Sequence, residues 1–383
     1  MNKNLNHHII SVDDIVRPTQ VEVDLNILKE NFNKIKEYVK PSKVMPILKA
    51  NAYGHGLIRL AQLYEKLNAD YLGVAVVEEG ILLRQMGIKI PILVLGGVWE
   101  NQIPLFLKNS LTITASSIDK LNQINDAATQ MKTKAIVHLK IDTGMERMGV
   151  HYYNAEKFLE VAYRLKNINV DGIYSHLANS ESADLTYTKL QLERFNDVLT
   201  FFENRSINAP LRHIANSGAI LQMQEAFFDM VRPGITLYGV YPSKQVKKSF
   251  EVKPALTWRS IVVYFKVVKP KHPVGYGLRW YTDHNVRAVT VPVGYGDGYF
   301  RNMFEKAQVL LNGKRYPVIG SISMDQIVVN IENDSAYNGD EVILLGSDGG
   351  NSIACEELAE WAGTIPYEIL TNINTRVPRV YID

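Results

Sequence analysis

The chain has 383 residues, 46% of them hydrophobic and 21% charged, which suits a soluble globular protein of two domains or one large barrel with an appendage. A formal net charge of +2 without a long basic run argues against a dedicated nucleic-acid binder, and the single cysteine, Cys355, excludes an intramolecular disulfide framework and suits a reducing compartment. The polar first residues lack an apolar core of signal-peptide length, and no apolar stretch approaches the roughly 20 residues that span a bilayer, so a cytoplasmic protein is expected.

From about Thr19 to Gly239, short β-branched runs alternate with helical periodicity. Gln20–Val23 reads as a strand outside the main repeat. Asp24 then precedes a helix with Leu25, Leu28, Phe32, Ile35 and Val39 on its apolar face. Strand-like runs follow at Val44–Leu48, Tyr71–Val76, Ile90–Leu95, Leu111–Thr114, Ala135–Ile141, Val170–His176, Leu211–Ala215 and Phe228–Arg232, separated by helices such as Leu57–Leu67 and Leu185–Phe202. Eight strands with intervening helices predict an α/β fold, a (β/α)8 TIM-type barrel at the N-terminal side. After Tyr241-Pro242-Ser243 a charged linker, Lys244–Lys253, leads into β-rich sequence: Leu256–Val268, Val286–Val293, Val309–Leu311, Ile327–Ile331 and Glu341–Leu345. Asn312-Gly313 between two short runs signals a hairpin, and one late helix is expected near Cys355–Trp361. The predicted division is a barrel over 17–245 and a mainly antiparallel β domain over 246–383, with an N-terminal arm, 1–16, that these patterns alone do not place.

Chemistry-bearing residues fall where the predicted strands end, the end at which barrel enzymes carry their sites. Lys49 follows the first barrel strand and opens Lys49-Ala50-Asn51-Ala52-Tyr53-Gly54-His55-Gly56. Burial disfavours the ammonium form, so a lysine there suits nucleophilic amine chemistry, including Schiff-base formation with an aldehyde cofactor. A lysine snorkelling into solvent is the plain alternative. Lys140 and Arg147 lie in the stretch that closes the fifth strand. His176 ends the sixth, Asn216-Ser217-Gly218 follows the seventh, and Arg232-Pro233-Gly234-Ile235 closes the eighth. Singly, each also fits a solvated loop, a core histidine or a helix cap; their convergence on one end favours a site. Ser217 and its neighbours would offer a hydroxyl and backbone N–H groups to a phosphate. Metal-ligand clusters with standard spacing are not evident.

The Lys49 string resembles the pyridoxal-phosphate attachment motif of the alanine racemase family, and the resemblance runs in motif order from about Val21 to Val380 and implies that the arm 1–16 packs on the β domain. It implies that Lys49 carries pyridoxal 5'-phosphate and that Tyr53, Ser217, Gly234, Ile235 and Tyr367 surround its phosphate. Arg232 would face the pyridine nitrogen beside His176, and Arg147 would approach the cofactor's phenolic oxygen and the substrate carboxylate. Lys140 matches a lysine that is often carbamylated in the family. An arginine at the ring nitrogen donates a hydrogen bond but hardly a proton, which makes the cofactor a weaker electron sink and favours simple removal and return of one proton.

Racemisation needs acid–base groups on both faces of the α-carbon. Lys49 is one, and the resemblance makes Tyr276, in Val274-Gly275-Tyr276-Gly277, the other, supplied by a partner subunit along with Ser323-Met324-Asp325-Gln326. An active homodimer with shared sites is therefore implied, with Tyr295 and Tyr367 narrowing the entrance and Met324 and Asp325 near the substrate. Glu146, Ser321 and Ser323 depart from residues common in the family (glycine, arginine and cysteine). The expected activity is interconversion of L- and D-alanine, supplying D-alanine for peptidoglycan. A broader small-amino-acid racemase, for example on serine, a barrel-type decarboxylase and a non-catalytic pyridoxal-phosphate-binding protein are the alternatives.

Overall fold

The computed structural model describes residues 17–383. The arm expected over 1–16 lies outside the described residues. Contacts divide the chain into two compact units, one of residues 27–253 and one of residues up to 26 together with 254–383. The expected boundary at 245/246 thus stands beside an observed division after Lys253, and residues 17–26 group with the β-rich unit. Lys253 accepts from Asn31 Nδ2 (2.8 Å) and donates its N–H to Asn31 Oδ1 (3.0 Å), which ties the linker to the first helix of the barrel unit.

Strand β1 (Gln20–Asp24) belongs to the β-rich unit; the barrel unit contains β2 (Lys43–Val44), β3 (Leu72–Val74), β4 (Ile92–Val94), β5 (Thr112–Ala115), β6 (Ala135–Asp142), a short β7 (Val150–His151), β8 (Ile168–Tyr174), β9 (Leu211–His213) and β10 (Met230–Val231). The order β3-β4-β5-β6-β8-β9 is parallel throughout, β7 adds to β6, and β10 pairs with β2. Backbone bonds close the ring. Arg232 donates its N–H to the Ala215 carbonyl (2.9 Å), Met45 to Val231 (2.9 Å) and Leu48 to Gly73 (2.8 Å). The first barrel run is shorter as a strand than Val44–Leu48 because Pro46 has no N–H to give to a ladder. Beyond it the chain regains only an isolated bridge, Ile47 to Gly73. The first helix, Leu25–Tyr38, buries Leu28, Phe32 and Ile35 as its spacing predicts.

Alternation along β6 decides what fills the barrel. Val137, Leu139 and Ile141 are buried on one face, while His138, Lys140 and Asp142, at period two on the other, are equally buried. The interior is therefore polar toward one end, unlike a purely aliphatic barrel core.

In the β-rich unit, β11 (Leu256–Ile261), β12 (Tyr264–Val268), β13 (Val286–Val291), β14 (Gln308–Leu311), β15 (Lys314–Ile319), β16 (Ile327–Glu332), β17 (Glu341–Asp348), β18 (Asn351–Ile353) and β19 (Arg379–Ile382) join β1. The sheet order is β12-β13-β16-β15-β14-β17-β11-β1-β19, with β18 on β17. All pairs are antiparallel except β1 with β19. The run Leu256–Val268, a single stretch in the sequence, divides into β11 and β12. Asn312 (φ 51°) and Gly313 (φ 72°) make the expected hairpin turn. The late helix spans Cys355–Ala362, and a second helix, Pro366–Asn372, follows it.

Candidate active site

Lys49 lies beyond the end of β2, just past the isolated bridge at Ile47, and opens an uncommon turn. Ala50 (φ 54°, ψ 55°), Asn51 (55°, 44°) and Ala52 (51°, 52°) are all left-handed, and Tyr53 continues with φ 52°. Such residues cost roughly 1–2 kcal/mol each outside glycine, so the surroundings must hold them. Ala50 donates its N–H to Glu79 Oε1 (2.7 Å), Ala52 to the Leu48 carbonyl (2.7 Å), and Asn51 Oδ1 accepts from Leu57 N (2.9 Å) at the start of the helix Leu57–Lys66. Small and amide side chains are the ones that tolerate this region. The Lys49 side chain reaches solvent, yet partial burial and the Arg147 charge lower its pKa against a smaller upward pull from Glu79, and Arg232 lowers it further.

The turn brings Tyr53 beside Gly234. A Cβ on Gly234 would lie 2.7 Å from the Tyr53 hydroxyl oxygen and 3.8 Å from Ser217 Oγ, so glycine keeps a cradle open there. Ser217 Oγ accepts from Gly234 N (2.9 Å) and Thr236 Oγ1 (3.1 Å), and Ile235 starts a short 3₁₀ turn. Asn216 caps the helix Ser217–Gln222 through Ala219 N at 3.1 Å. Hydroxyls and glycine-exposed backbone in this arrangement fit a phosphate.

Arg232 is buried and fully engaged on one side. Its Nη2 donates to the carbonyls of Ser175 (2.8 Å) and Ile214 (3.1 Å) and to His176 Nδ1 (3.0 Å), while Nη1 donates to His213 Nδ1 (2.8 Å). Burial lowers its pKa to about 10, which leaves the guanidinium charged at neutral pH. Since arginine only donates, His176 Nδ1 must accept, and the imidazole proton sits on Nε2. Burial, then the charges of Arg232, Lys140, Arg147 and Lys49, hold the His176 pKa well below the ordinary histidine value. His176 is a neutral N–H donor.

Lys140 lies within the barrel, 5.0 Å from the centroid of the Tyr174 ring, with Nζ donating to the Ile141 carbonyl (3.0 Å). Burial and Arg232 lower its pKa to about 7, with Asp142 pulling upward and Arg147 downward. Two strand positions on, Asp142 organises the loop that presents Arg147: its carboxylate accepts from the backbone of Gly144 (2.8 Å), Met145 (2.9 Å), Glu146 (3.3 Å) and Arg147 (3.2 Å). Burial pushes the Asp142 pKa up, but these donors and Lys140 outweigh it and the net shift is downward. Gln191 bonds Thr143 Oγ1 (3.3 Å), the His176 carbonyl (3.1 Å) and Ala178 N (2.8 Å), joining this loop to the next.

The remaining expected site residues, Tyr276, Tyr295, Met324, Asp325 and Tyr367, lie in the β-rich unit. Ser321 Oγ donates to the Tyr276 carbonyl (2.7 Å), Tyr295 N donates to the Ser323 carbonyl (3.0 Å), and Gly296 N to Met324 (2.9 Å). Asp325 pairs with Arg376, whose Nε also reaches the buried Asp297 (2.6 Å). Tyr367 sits on the helix Pro366–Asn372, and a Cβ on Gly298 would strike the Asn372 carbonyl oxygen at 2.2 Å. One platform thus presents Tyr276, Tyr295 and the segment 323–325.

Sequence reasoning missed Glu79, Thr236 and Gln191, which hold neighbouring backbone and hydroxyl groups in place and belong to no motif. It also missed His138, His213 and Asp171. The signal was present for two of these, since a histidine at an inward position of a barrel strand needs a polar partner. Among the described residues no group of three or more His, Cys, Asp or Glu is placed to hold a metal ion, and no helix is long and apolar enough to cross a membrane.

Two family profiles match the chain, "Alanine racemase, N-terminal domain" over residues 23–242 and "Alanine racemase, C-terminal domain" over residues 255–381. A curated alanine racemase of Carboxydothermus hydrogenoformans is 41% identical over 96% of this chain and 100% of its own length. Among solved structures, the alanine racemase of Clostridium difficile 630 superposes with a TM-score of 0.91 at 37% identity, covering 96% of both chains. That of Bacillus anthracis with bound L-Ala-P has a TM-score of 0.91 at 32% identity, covering 96% of this chain and 95% of that one.

Proposed function

The chain belongs to the alanine racemase family, and from that premise we propose that it is an isomerase interconverting L- and D-alanine with pyridoxal 5'-phosphate bound at Lys49. The observation that carries this reading is the Arg232–His176 pair: a charged guanidinium donating to a neutral imidazole, set in the same electrostatic neighbourhood as the Lys49 amine. When bound, the cofactor supplies an aldehyde and an electron-withdrawing ring. Tyr53, Ser217, Gly234 and Ile235 would hold its phosphate and Arg232 its ring nitrogen, with Tyr367 as a further phosphate contact.

The residues divide the work. Lys49, with its lowered pKa, takes or returns the α-proton on one face. On the opposite face Tyr276 of the partner subunit does so, and the Nε2–H of His176, backed by Arg232, stabilises its phenolate. Arg147 binds the substrate carboxylate through paired N–H donors. Tyr295, Met324 and Asp325 contribute to the substrate entrance from the partner. Lys140, partly neutral near pH 7, adds carbon dioxide at Nζ with loss of a proton, and the resulting carbamate orients Arg147.

An active homodimer follows from this division. Tyr276 is 72% exposed in the single chain, and edge strand β12 leaves Tyr264, Phe265 and Val267 exposed, a surface suited to a second copy. The family role is to supply D-alanine for peptidoglycan. Purified holoenzyme should abolish the circular-dichroism signal of L-alanine over time, and Lys49→Ala should not. An unchanging signal from cofactor-loaded wild-type protein would sink the assignment.

A further inference from the structure

We propose that His213, His138 and Asp171 are positioning residues for Arg232, forming a buried hydrogen-bond relay with one fixed direction that supplies the guanidinium with a distant counter-charge. This rests on the reading that Arg232 faces the cofactor ring.

The direction follows from valence. Arg232 has no acceptor, so Nη1 donates to His213 Nδ1 (2.8 Å), and the His213 proton must be on Nε2. That nitrogen lies 2.8 Å from His138 Nδ1, which therefore accepts. The His138 proton is then on Nε2, 3.2 Å from Asp171 Oδ2. The same carboxylate oxygen accepts from the Tyr71 hydroxyl at 2.8 Å, and Thr112 Oγ1 lies 3.2 Å from that hydroxyl. All four imidazole nitrogens are used. Reversing any link would oppose two N–H groups or two lone pairs.

The barrel is shaped to hold this line. A Cβ on Gly172 would come within 2.6 Å of the His138 ring atoms Cε1 and Nδ1, so the glycine is a slot for the imidazole. The Tyr174 ring stacks on His213 (4.8 Å, 5° between planes), and its hydroxyl is 2.9 Å from Thr114 Oγ1. His138 and His213 are fully buried. Among the described residues no carboxylate forms an ion pair with Arg232, whose side-chain partners are the imidazoles of His213 and His176. Asp171, half-buried at the far end with Lys43 near it, is the anion at the end of the Arg232 hydrogen-bond chain. Its charge polarises both imidazoles and strengthens the acceptor that fixes the guanidinium plane.

Two measurements test the relay. Side-chain 15N spectra of histidine-labelled protein, both apo and loaded with pyridoxal phosphate, should show His138 and His213 as neutral Nε2–H tautomers at pH 7 with coupling across the N–H···N bond. A cationic ring or an Nδ1–H tautomer at either position overturns the proposal. In the holoenzyme, Asp171→Asn keeps an oxygen for both donors and removes only the charge. It should lower kcat by roughly threefold to tenfold, shift the visible band of the bound cofactor, and leave KM for alanine, cofactor content and Tm near wild type. Wild-type kcat and an unshifted band would overturn it. Gly172→Ala should reproduce the kinetic change by displacing His138; should it fail to fold, Asp171→Asn decides alone. Wild-type protein without a visible band or racemase activity refutes the cofactor reading instead, and the apo spectra still judge the relay.

Discussion

Arg232 and His176 show how burial chooses protonation states. Neutral His176, His138 and His213 are each held below the ordinary histidine pKa, in every case first by burial. The unfolded chain binds protons at these sites below about pH 6.5 while the folded chain does not, so stability falls as pH drops below that value. Each histidine contributes a slope of up to about 1.4 kcal/mol per pH unit in that window. Urea midpoints measured between pH 7.5 and 5.5 should decline, and His138→Asn should flatten the decline. Lys140 is a second case, because its lowered pKa makes the neutral amine available. Protein equilibrated with 13C-bicarbonate should show a carbamate resonance that Lys140→Ala removes. Glu146 shows a different cost. It stands with φ 55°, in the left-handed region that favours glycine, and it pairs with His151 Nε2 at 2.9 Å on the surface. That angle supplies a physical reason for the glycine that the family resemblance implies at this position.

The left-handed turn after Lys49 matters most among the elements. The sequence marks it as small, flexible and hydrogen-bonding, which reads as a loop, and nothing in propensity alone indicates four successive residues of the wrong hand. The turn persists because Glu79 and Leu48 take its N–H groups and Asn51 caps the next helix. Ala50→Gly should relieve strain and raise unfolding stability by about 0.5–1 kcal/mol, while lowering kcat because Lys49 is held less firmly. Denaturant midpoints and steady-state rates measure the two effects, and loss of stability would contradict the strain argument. The eight barrel runs were legible because parallel strands are continuous apolar segments. Their lengths were not, since Pro46 and the short ladders are set by neighbours. The helix Pro366–Asn372 leaves little trace in the sequence because its seven residues give periodicity little to act on.

At the scale of the molecule, the candidate residues separate cleanly: Lys49, Arg147, His176 and Arg232 on the barrel unit, Tyr276, Tyr295 and Asp325 on the β-rich unit. The proposed dimer, in which each subunit would lend a base to the other, requires such a separation. Mixing inactive Lys49→Ala and Tyr276→Phe proteins should restore up to about one site in two per heterodimer, by the symmetry of a two-fold interface. No restored activity in verified heterodimers would refute sharing. Motif order points to the proposed cofactor site and to Tyr276, whereas the barrel's polar interior depends on side chains from several strands meeting in space, which no local pattern records.

The central claim is that Lys49 and Tyr276 act on opposite faces of one α-carbon. Its most direct test is the rate of α-proton exchange with solvent deuterium for L-alanine and D-alanine separately, in wild-type and Tyr276→Phe holoenzyme. The substitution should suppress proton removal from one enantiomer far more than from the other, while Lys49 still serves the second. Equal losses for both enantiomers would contradict the two-base account.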